Sequence, residues 1–178
     1  MRRTVIGVMG GSQCDAAVAH LAEELGAAIA HEGWVLLSGG RPAGVMEAAS
    51  RGAAQAGGLV LGILPGLDPA AASEHVQVAL PTGLGMGRNL LNVLASRVVV
   101  ALPGAAGTLS EIALALCHRR PVLLLGWAAQ PLADFTLPLY HTVAELLPEL
   151  RRLVLAGGAT ADDADDAERK GRGGEPLI

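Results

Sequence analysis

Three glycine clusters are the features of this sequence best suited to binding an anion. They are Gly10-Gly11-Ser12, the segment 39–44 and the segment 103–108, and each follows a short apolar run and precedes a helical pattern. Glycine lets backbone amides approach a phosphate without a Cβ atom in the way, and a helix N-terminus adds favourable potential. One such loop is weak evidence because glycine also serves tight turns. Three of them at one edge of a sheet indicate a phosphate-binding rim.

Two charged side chains stand beside these clusters. Arg88, with Asn89 after it, follows a glycine-rich turn. This position suits a guanidinium that donates two parallel hydrogen bonds to a phosphate, and it equally suits a solvated helix residue. Thr108-Leu109-Ser110-Glu111 has the spacing of a capping box, and spacing alone favours that structural interpretation. The functional alternative is that Glu111 holds ribose hydroxyls or stabilises positive charge developing at an anomeric carbon.

The elements that position these residues alternate between short apolar runs and helical segments, which is typical of repeated βαβ units. The predicted strands are 4–9, 34–38, 59–64, 76–79, 97–102 and 121–125. The predicted helices are one that Asp15 opens and Gly33 stops, and then 43–56, 84–96, 108–118 and 143–154. The pattern predicts an α/β fold, a single-domain Rossmann-like doubly wound parallel sheet flanked by helices. Loops at the carboxyl ends of its strands would meet at one edge, where ligands bind.

Length and composition fit one domain followed by a tail. The chain has 178 residues, of which 51% are hydrophobic and 17% charged, so residues 1–155 can build a buried core as one ligand-binding domain. After this domain the composition changes to Gly, Asp, Arg and Lys, which predicts a disordered tail over 156–178.

The same numbers restrict the partners. The net charge of −4 provides no basic field for nucleic acid, and no apolar run is long enough for a membrane helix. Only two cysteines and no secretory signal predict a cytoplasmic protein with reduced thiols. Helices that are apolar nearly all round predict a homodimer or homotetramer.

Common cofactor signatures are absent from the sequence. There is no Gly-Lys-Ser/Thr of a Walker A loop, and Gly83-Leu84-Gly85-Met86-Gly87 has the wrong spacing for a dinucleotide fingerprint. The five histidines show no metal-ligand spacing. We therefore expect no metal and no required cofactor.

The segment from Pro103 to Glu111 resembles the PGGxGTxxE motif of the Lonely Guy (LOG)-like Rossmann superfamily, formerly called lysine decarboxylases. The segment from Gly39 to Met46 resembles its second motif, GGGxxGLM, and the resemblance covers about residues 4–155. This superfamily includes phosphoribohydrolases, which release a base from a nucleoside 5′-monophosphate. It also includes molybdenum cofactor carrier proteins, which bind a pterin phosphate without chemistry.

The resemblance implies roles for single residues. Arg88 and Glu111 match the essential arginine and glutamate of the hydrolases, while Gly104, Gly107 and Thr108 match phosphate-binding positions. The chain departs from the hydrolases in four places. The arginine motif, Met-His-Glu-Arg-Lys in the hydrolases, is Gly85-Met86-Gly87-Arg88-Asn89 here. In the PGGxGTxxE motif, Ala105 replaces the second glycine and Ser110 replaces the first of two paired glutamates, and after the second motif Glu47 replaces a glycine. Two segments, 40–48 (Gly-Arg-x-x-Gly-Val-Met-Glu-Ala) and 87–89 (Gly-Arg-Asn), are more similar to the carrier branch.

Three functions follow as hypotheses. The first is a binding or carrier protein for a phosphate-bearing, nucleotide-like ligand, with molybdenum cofactor as the cargo it could hold. The alternative is a phosphoribohydrolase cleaving the N-glycosidic bond of AMP or cytokinin-like nucleotides, with Arg88 and Glu111 catalytic. The third is a structural or regulatory module with a vestigial site. The predicted ligand-binding residues are Gly10, Gly11, Ser12, Gly39, Gly40, Gly44, Met46, Arg88, Asn89, Pro103, Gly104, Ala105, Ala106, Gly107, Thr108 and Glu111.

Overall fold

The computed structural model describes residues 3–156, which form seven strands and five α-helices. The strands are β1 (Val5–Met9), β2 (Val35–Ser38), β3 (Leu59–Leu64), β4 (Val78–Pro81), β5 (Val98–Ala101), β6 (Val122–Leu125) and β7 (Leu139–Tyr140). The helices are α1 (Ala16–His31), α2 (Gly44–Gln55), α3 (Arg88–Ala95), α4 (Ala106–Cys117) and α5 (Val143–Ala156). Ala156 therefore ends a helix, and the rest of the predicted tail lies outside the described residues.

All seven strands join one parallel sheet in the order β4-β3-β2-β1-β5-β6-β7. This confirms the predicted doubly wound α/β fold. The direction in which the chain adds strands reverses between β1 and β5, so the loops after these two strands diverge and leave a crevice. Two of the glycine clusters follow these two strands, and the third follows β2.

Helices cover both faces of the sheet, because alternate residues of the central strands face opposite sides. Val98 and Val100 pack in the core beneath α1, α2 and α5. Val99 and Ala101 pack in a second core beneath α3 and α4. All four side chains are fully buried. The continuous apolar runs of the sequence therefore correspond to strands covered on both sides.

Two predicted boundaries differ from the structure near the site. The predicted helix 84–96 is divided into a 3-10 turn, Gly85–Gly87, and α3, because Gly85 adopts a φ of 54° that α-helical residues avoid. The predicted helix 108–118 begins two residues earlier, at Ala106. No helix within residues 3–156 is long and apolar enough to cross a membrane.

Candidate functional site

A cavity of about 210 Å³ opens at the carboxyl edge of the sheet, beside the β1–β5 crevice. Its walls come from the loops after β1, β2 and β5 and from the first turns of α3 and α4. Eleven of the predicted ligand-binding residues line it: Gly10, Gly11, Ser12, Gly39, Met46, Arg88, Asn89, Ala105, Gly107, Thr108 and Glu111. The structure thus brings together the glycine clusters and both charged candidates.

Five predicted residues do not line this cavity, and four of them hold its loops together. Gly40 and Gly44 have positive φ angles of 72° and 52°. Pro103 accepts a hydrogen bond of 3.0 Å from the backbone N–H of Gly11, which ties the β5 loop to the β1 loop. At Gly104, an added Cβ would overlap the hydroxyl of Thr108. The fifth, Ala106, is the exposed first residue of α4.

The floor of the cavity contains a buried ion pair. Nη1 of Arg88 lies 3.6 Å from Oε1 of Glu111, and each side chain is only 8% exposed. Arg88 can occupy this position because residue 39 is glycine: an added Cβ there would lie 2.6 Å from Nη2 of Arg88. The Nε of Arg88 is buried and has no hydrogen-bond partner among residues 3–156. A buried guanidinium donor without a partner indicates a position where a ligand acceptor can bind.

Asn92 supports the carboxylate of this pair. Its Nδ2 donates a hydrogen bond of 2.8 Å to Oε1 of Glu111, and the asparagine is fully buried. Because Asn92 follows Arg88 by one helical turn, α3 presents both side chains on one face to Glu111. Asn92 was not among the predicted site residues, although its spacing of four residues from Arg88 is a signal that could have identified it.

The predicted capping box is wrong. The N-cap of α4 is Ala105, and Thr108 lies inside the first turn rather than before it. The carboxylate of Glu111 therefore binds Arg88 and Asn92 and does not reach back to a cap amide. The physical reason is that the helix starts within the glycine-rich loop, where no side chain caps the first amides.

The uncapped start of α4 is itself an anion-binding feature. Gly107 and Thr108 belong to the first turn, whose N–H groups have no intrahelical acceptors, and both residues line the cavity. Free amides and the positive end of the helix dipole together favour an anion at this position. The carbonyl oxygen of Gly107 does not face the cavity amides' anion position but accepts two hydrogen bonds. One comes from the Ser110 hydroxyl at 2.7 Å and the other from Nδ2 of Asn89 at 3.3 Å.

Burial and neighbouring charges act in opposite directions on the floor pair. Burial raises the pKa of Glu111, while the hydrogen bond from Asn92 and the charge of Arg88 lower it in part. Burial lowers the pKa of Arg88, the charge of Glu111 raises it, and the charge of Arg41 lowers it. Burial thus favours the neutral form of each group, and their mutual attraction favours the charged pair. In its ionised form, Glu111 can accept hydrogen bonds from a ligand or stabilise a positive charge on it.

Four further residues that line the cavity were not predicted to bind ligand: Val8, Met9, Arg41 and Met86. Arg41, in the loop after β2, is exposed, and Met86, in the turn before α3, is 64% exposed. Residues 3–156 contain no cluster of three or more His, Cys, Asp or Glu side chains that could hold a metal ion.

Comparison with known proteins defines the family. Residues 3–150 match the model of the SLOG cluster4 family. The chain belongs to the SLOG cluster4 family. This membership confirms the resemblance to LOG-like proteins that the glycine motifs indicate.

The proteins to which this chain is similar include two kinds. The chain is 41% identical to the molybdenum cofactor binding protein of Rippkaea orientalis, with a TM-score of 0.79 over 86% of this chain and 99% of that one. It is 39% identical to the molybdenum cofactor carrier protein of Chlamydomonas reinhardtii, with a TM-score of 0.78 over 86% of this chain and 99% of the carrier protein. It is also 32% identical, over 61% of this chain and 59% of the enzyme, to a cytokinin riboside 5′-monophosphate phosphoribohydrolase of Mycobacterium tuberculosis.

Proposed function

We propose that this chain binds a phosphate-bearing, nucleotide-like ligand in the cavity and acts as a carrier of molybdenum cofactor. The observation that carries the proposal is the convergence of the uncapped α4 start with the buried guanidinium of Arg88, whose Nε has no partner in the described chain. Similarity along nearly the full length of two molybdenum cofactor proteins supports this choice of cargo.

Each part of the cavity has a separate task in this proposal. The amides of Gly107 and Thr108 bind the ligand phosphate. The free N–H groups and the positive dipole end at a helix N-terminus stabilise an anion even where no charged side chain contacts it. Nε of Arg88 donates to an acceptor on the body of the ligand, and Glu111 accepts from a hydroxyl or amino group there. The ion pair between Arg88 and Glu111 keeps the floor of the cavity close to neutral, which suits an uncharged but polar ring system.

Isothermal titration with isolated molybdenum cofactor and with AMP tests the proposal. We expect Arg88→Lys to weaken binding about tenfold, because an ammonium group keeps the charge and loses the fork of donors. Arg152→Lys is the matched control, since Arg152 is exposed on α5 and lies outside the cavity. Absence of heat with both ligands, in protein shown to be folded, would contradict the proposal.

A second candidate is hydrolysis of the N-glycosidic bond of a nucleoside 5′-monophosphate. The observation that favours it is that Arg88 and Glu111, which match essential residues of the hydrolases, share one cavity 3.6 Å apart. Glu111 would stabilise positive charge at the anomeric carbon while water adds there, the C–N bond breaks, and the base leaves with a proton. Incubation with AMP and chromatography for free adenine tests this candidate; no adenine, or equal rates in Glu111→Gln, would contradict it.

We also propose that the chain forms a homodimer or homotetramer through the apolar surface beside α3. Val78 and Leu80 of edge strand β4 are 40% and 45% exposed, and Leu91 and Leu94 of α3 are 37% and 39% exposed. The register places Val78 and Leu80 on the face of the sheet that α3 covers, because they pair with Leu61 and Ile63. Light scattering should give an assembly mass that is a multiple of the 18.0 kDa chain mass. The double variant Leu91→Asp with Leu94→Asp should lower this assembly mass, and the control variant Leu155→Asp should leave it unchanged.

A cytoplasmic location fits the cysteines within residues 3–156. Cys14 and Cys117 are both free thiols, and neither pairs with the other. Reduced thiols are typical of cytosolic proteins. Fractionation of cells that express the protein tests this proposal. Recovery with cytoplasmic markers is expected, and recovery with secreted or membrane fractions would contradict it.

A further inference from the structure

Asn89 joins the first turns of α3 and α4 beside the cavity. The residue is only 3% exposed, and it lines the cavity. Its Nδ2 donates to the Ser110 hydroxyl at 2.8 Å and to the carbonyl oxygen of Gly107 at 3.3 Å. The Ser110 hydroxyl donates to the same carbonyl at 2.7 Å. These three groups form a closed set of hydrogen bonds at the start of α4.

The contacts fix the orientation of the Asn89 amide. A carbonyl oxygen accepts hydrogen bonds and cannot donate them, so the amide atom beside the Gly107 carbonyl is the nitrogen. Oδ1 of Asn89 therefore lies on the other side of the amide. It forms no hydrogen bond within residues 3–156 and, unlike Oδ1 of Asn92, it is not sealed from solvent. Because so little of Asn89 is exposed and the residue lines the cavity, the cavity is the space from which a ligand can reach this oxygen.

A fixed amide oxygen recognises a hydrogen-bond donor rather than an anion. Ionised phosphate oxygens carry no donor, so Oδ1 of Asn89 does not bind the phosphate itself. Asn89 contacts Gly107 directly, so a ligand group that reaches Oδ1 lies on the part of the ligand next to a phosphate bound at the start of α4. Such an acceptor discriminates against an analogue that lacks the donor, because the oxygen then loses water without gaining a partner.

We propose that Asn89 is a specificity-determining residue whose Oδ1 accepts a hydrogen bond from a hydroxyl or N–H group on the ligand ring next to the phosphate. The proposal rests on the proposed function and narrows the ligand class to phosphate esters with such a donor. It gives Asn89 a task that differs from that of Arg88: the guanidinium recognises an acceptor on the ligand, and the amide oxygen recognises a donor. The ribose of AMP carries two hydroxyl donors in this part of the molecule.

AMP and 2′,3′-dideoxyadenosine 5′-monophosphate are matched probes, because they differ only in the two ribose hydroxyls. In isothermal titration we expect the wild-type protein to bind AMP about tenfold more tightly than the dideoxy nucleotide, a factor typical of one hydrogen bond to a buried partner. Asn89→Ala should remove most of this preference. It should do so by weakening AMP binding, while the affinity for the dideoxy nucleotide changes less than about twofold.

A second variant keeps the test decisive if Asn89→Ala does not fold, which its thermal midpoint shows. Ser110→Ala keeps Oδ1 of Asn89 but removes one of the two contacts that fix the amide, so the preference for AMP should fall about threefold.

The outcomes separate the role of Asn89 from the proposed function. Equal binding of both nucleotides by the wild type contradicts the role of Asn89 and leaves the proposed function standing. An equal loss for both nucleotides in Asn89→Ala, which a residue that donates to the phosphate would cause, does the same. A wild type that binds neither nucleotide also contradicts the role of Asn89, and a further failure to bind isolated molybdenum cofactor contradicts the proposed function as well.

Discussion

Two helix pairs, α1–α2 and α3–α4, lie on opposite faces of the sheet and differ in the residues that form their interfaces. At the α1–α2 interface the backbones touch: an added Cβ at Gly26 would overlap the carbonyl oxygen of Ala49, and one at Gly52 would overlap that of Glu23. At the α3–α4 interface, charged and amide side chains are buried instead, in the contacts of Glu111 with Arg88 and Asn92.

This difference separates stability from binding. The α1–α2 interface gains close packing of small residues, and its ion pair, Arg51 with Glu23, stays about one third exposed. The α3–α4 interface buries two charges and leaves Nε of Arg88 and Oδ1 of Asn92 without partners in the described chain. Buried pairs of this kind contribute little net stability, because removal from water opposes their attraction. A ligand bound at the second interface, as in the proposed function, would supply the partners that these two atoms lack.

The largest effect is expected at the α1–α2 interface. Gly52→Ala should lower the free energy of unfolding by about 3 kcal/mol, because the new methyl group meets backbone atoms that can move only if the helices separate. Urea unfolding measures the change. Gly66→Ala is the matched control, since nothing lies within 4 Å of its added Cβ. Equal stability of both variants would show that the helices are not in close contact.

A smaller loss of stability is expected at the α3–α4 interface. Asn92→Ala removes a buried hydrogen bond to a carboxylate and should lower the free energy of unfolding by about 2 kcal/mol. It should also raise the pKa of Glu111 further, because the hydrogen bond from Asn92 lowers that pKa. AMP affinity measured against pH would then change at a higher pH than in the wild type. An unchanged pH profile would mean that Asn92 only fills space.

Gly39→Ala should act on binding more than on stability. The added methyl group displaces the guanidinium of Arg88, and we expect AMP affinity to fall about tenfold. Gly87→Ala, whose added Cβ has ordinary contact at 3.8 Å with Leu84, should bind as the wild type does. Equal titration curves for the two variants would contradict the positioning of Arg88 by Gly39.

Much of this comparison could be predicted from the sequence, because strand runs and glycine loops are local signals. Strand β3 matches its predicted range of 59–64, and the predicted doubly wound parallel sheet is confirmed. Strand β7 was missed because two residues show no periodicity. The capping-box interpretation failed because spacing does not show where a helix begins. Asn92 was missed because its contact with Glu111 depends on which helices meet across the sheet.

The smallest effect is expected from the pH dependence of Glu111. Its pKa in the folded protein lies above the ordinary value of 4.5, so between these two values the folded state holds more protons than the unfolded chain. The contribution of Glu111 to the free energy of unfolding of the wild type should therefore fall as pH rises through this window. Glu111→Gln lacks this contribution, so its thermal midpoint should rise relative to the wild type over the same window. A constant difference between the two would contradict the raised pKa.

The position of a bound phosphate tests the central claim most directly. A crystal structure of the protein with AMP should show the phosphate within hydrogen-bond distance of the amides of Gly107 and Thr108, with the rest of the ligand toward Arg88 and Glu111. A phosphate bound elsewhere on the chain, or no ligand density at the carboxyl edge of the sheet, would contradict the account.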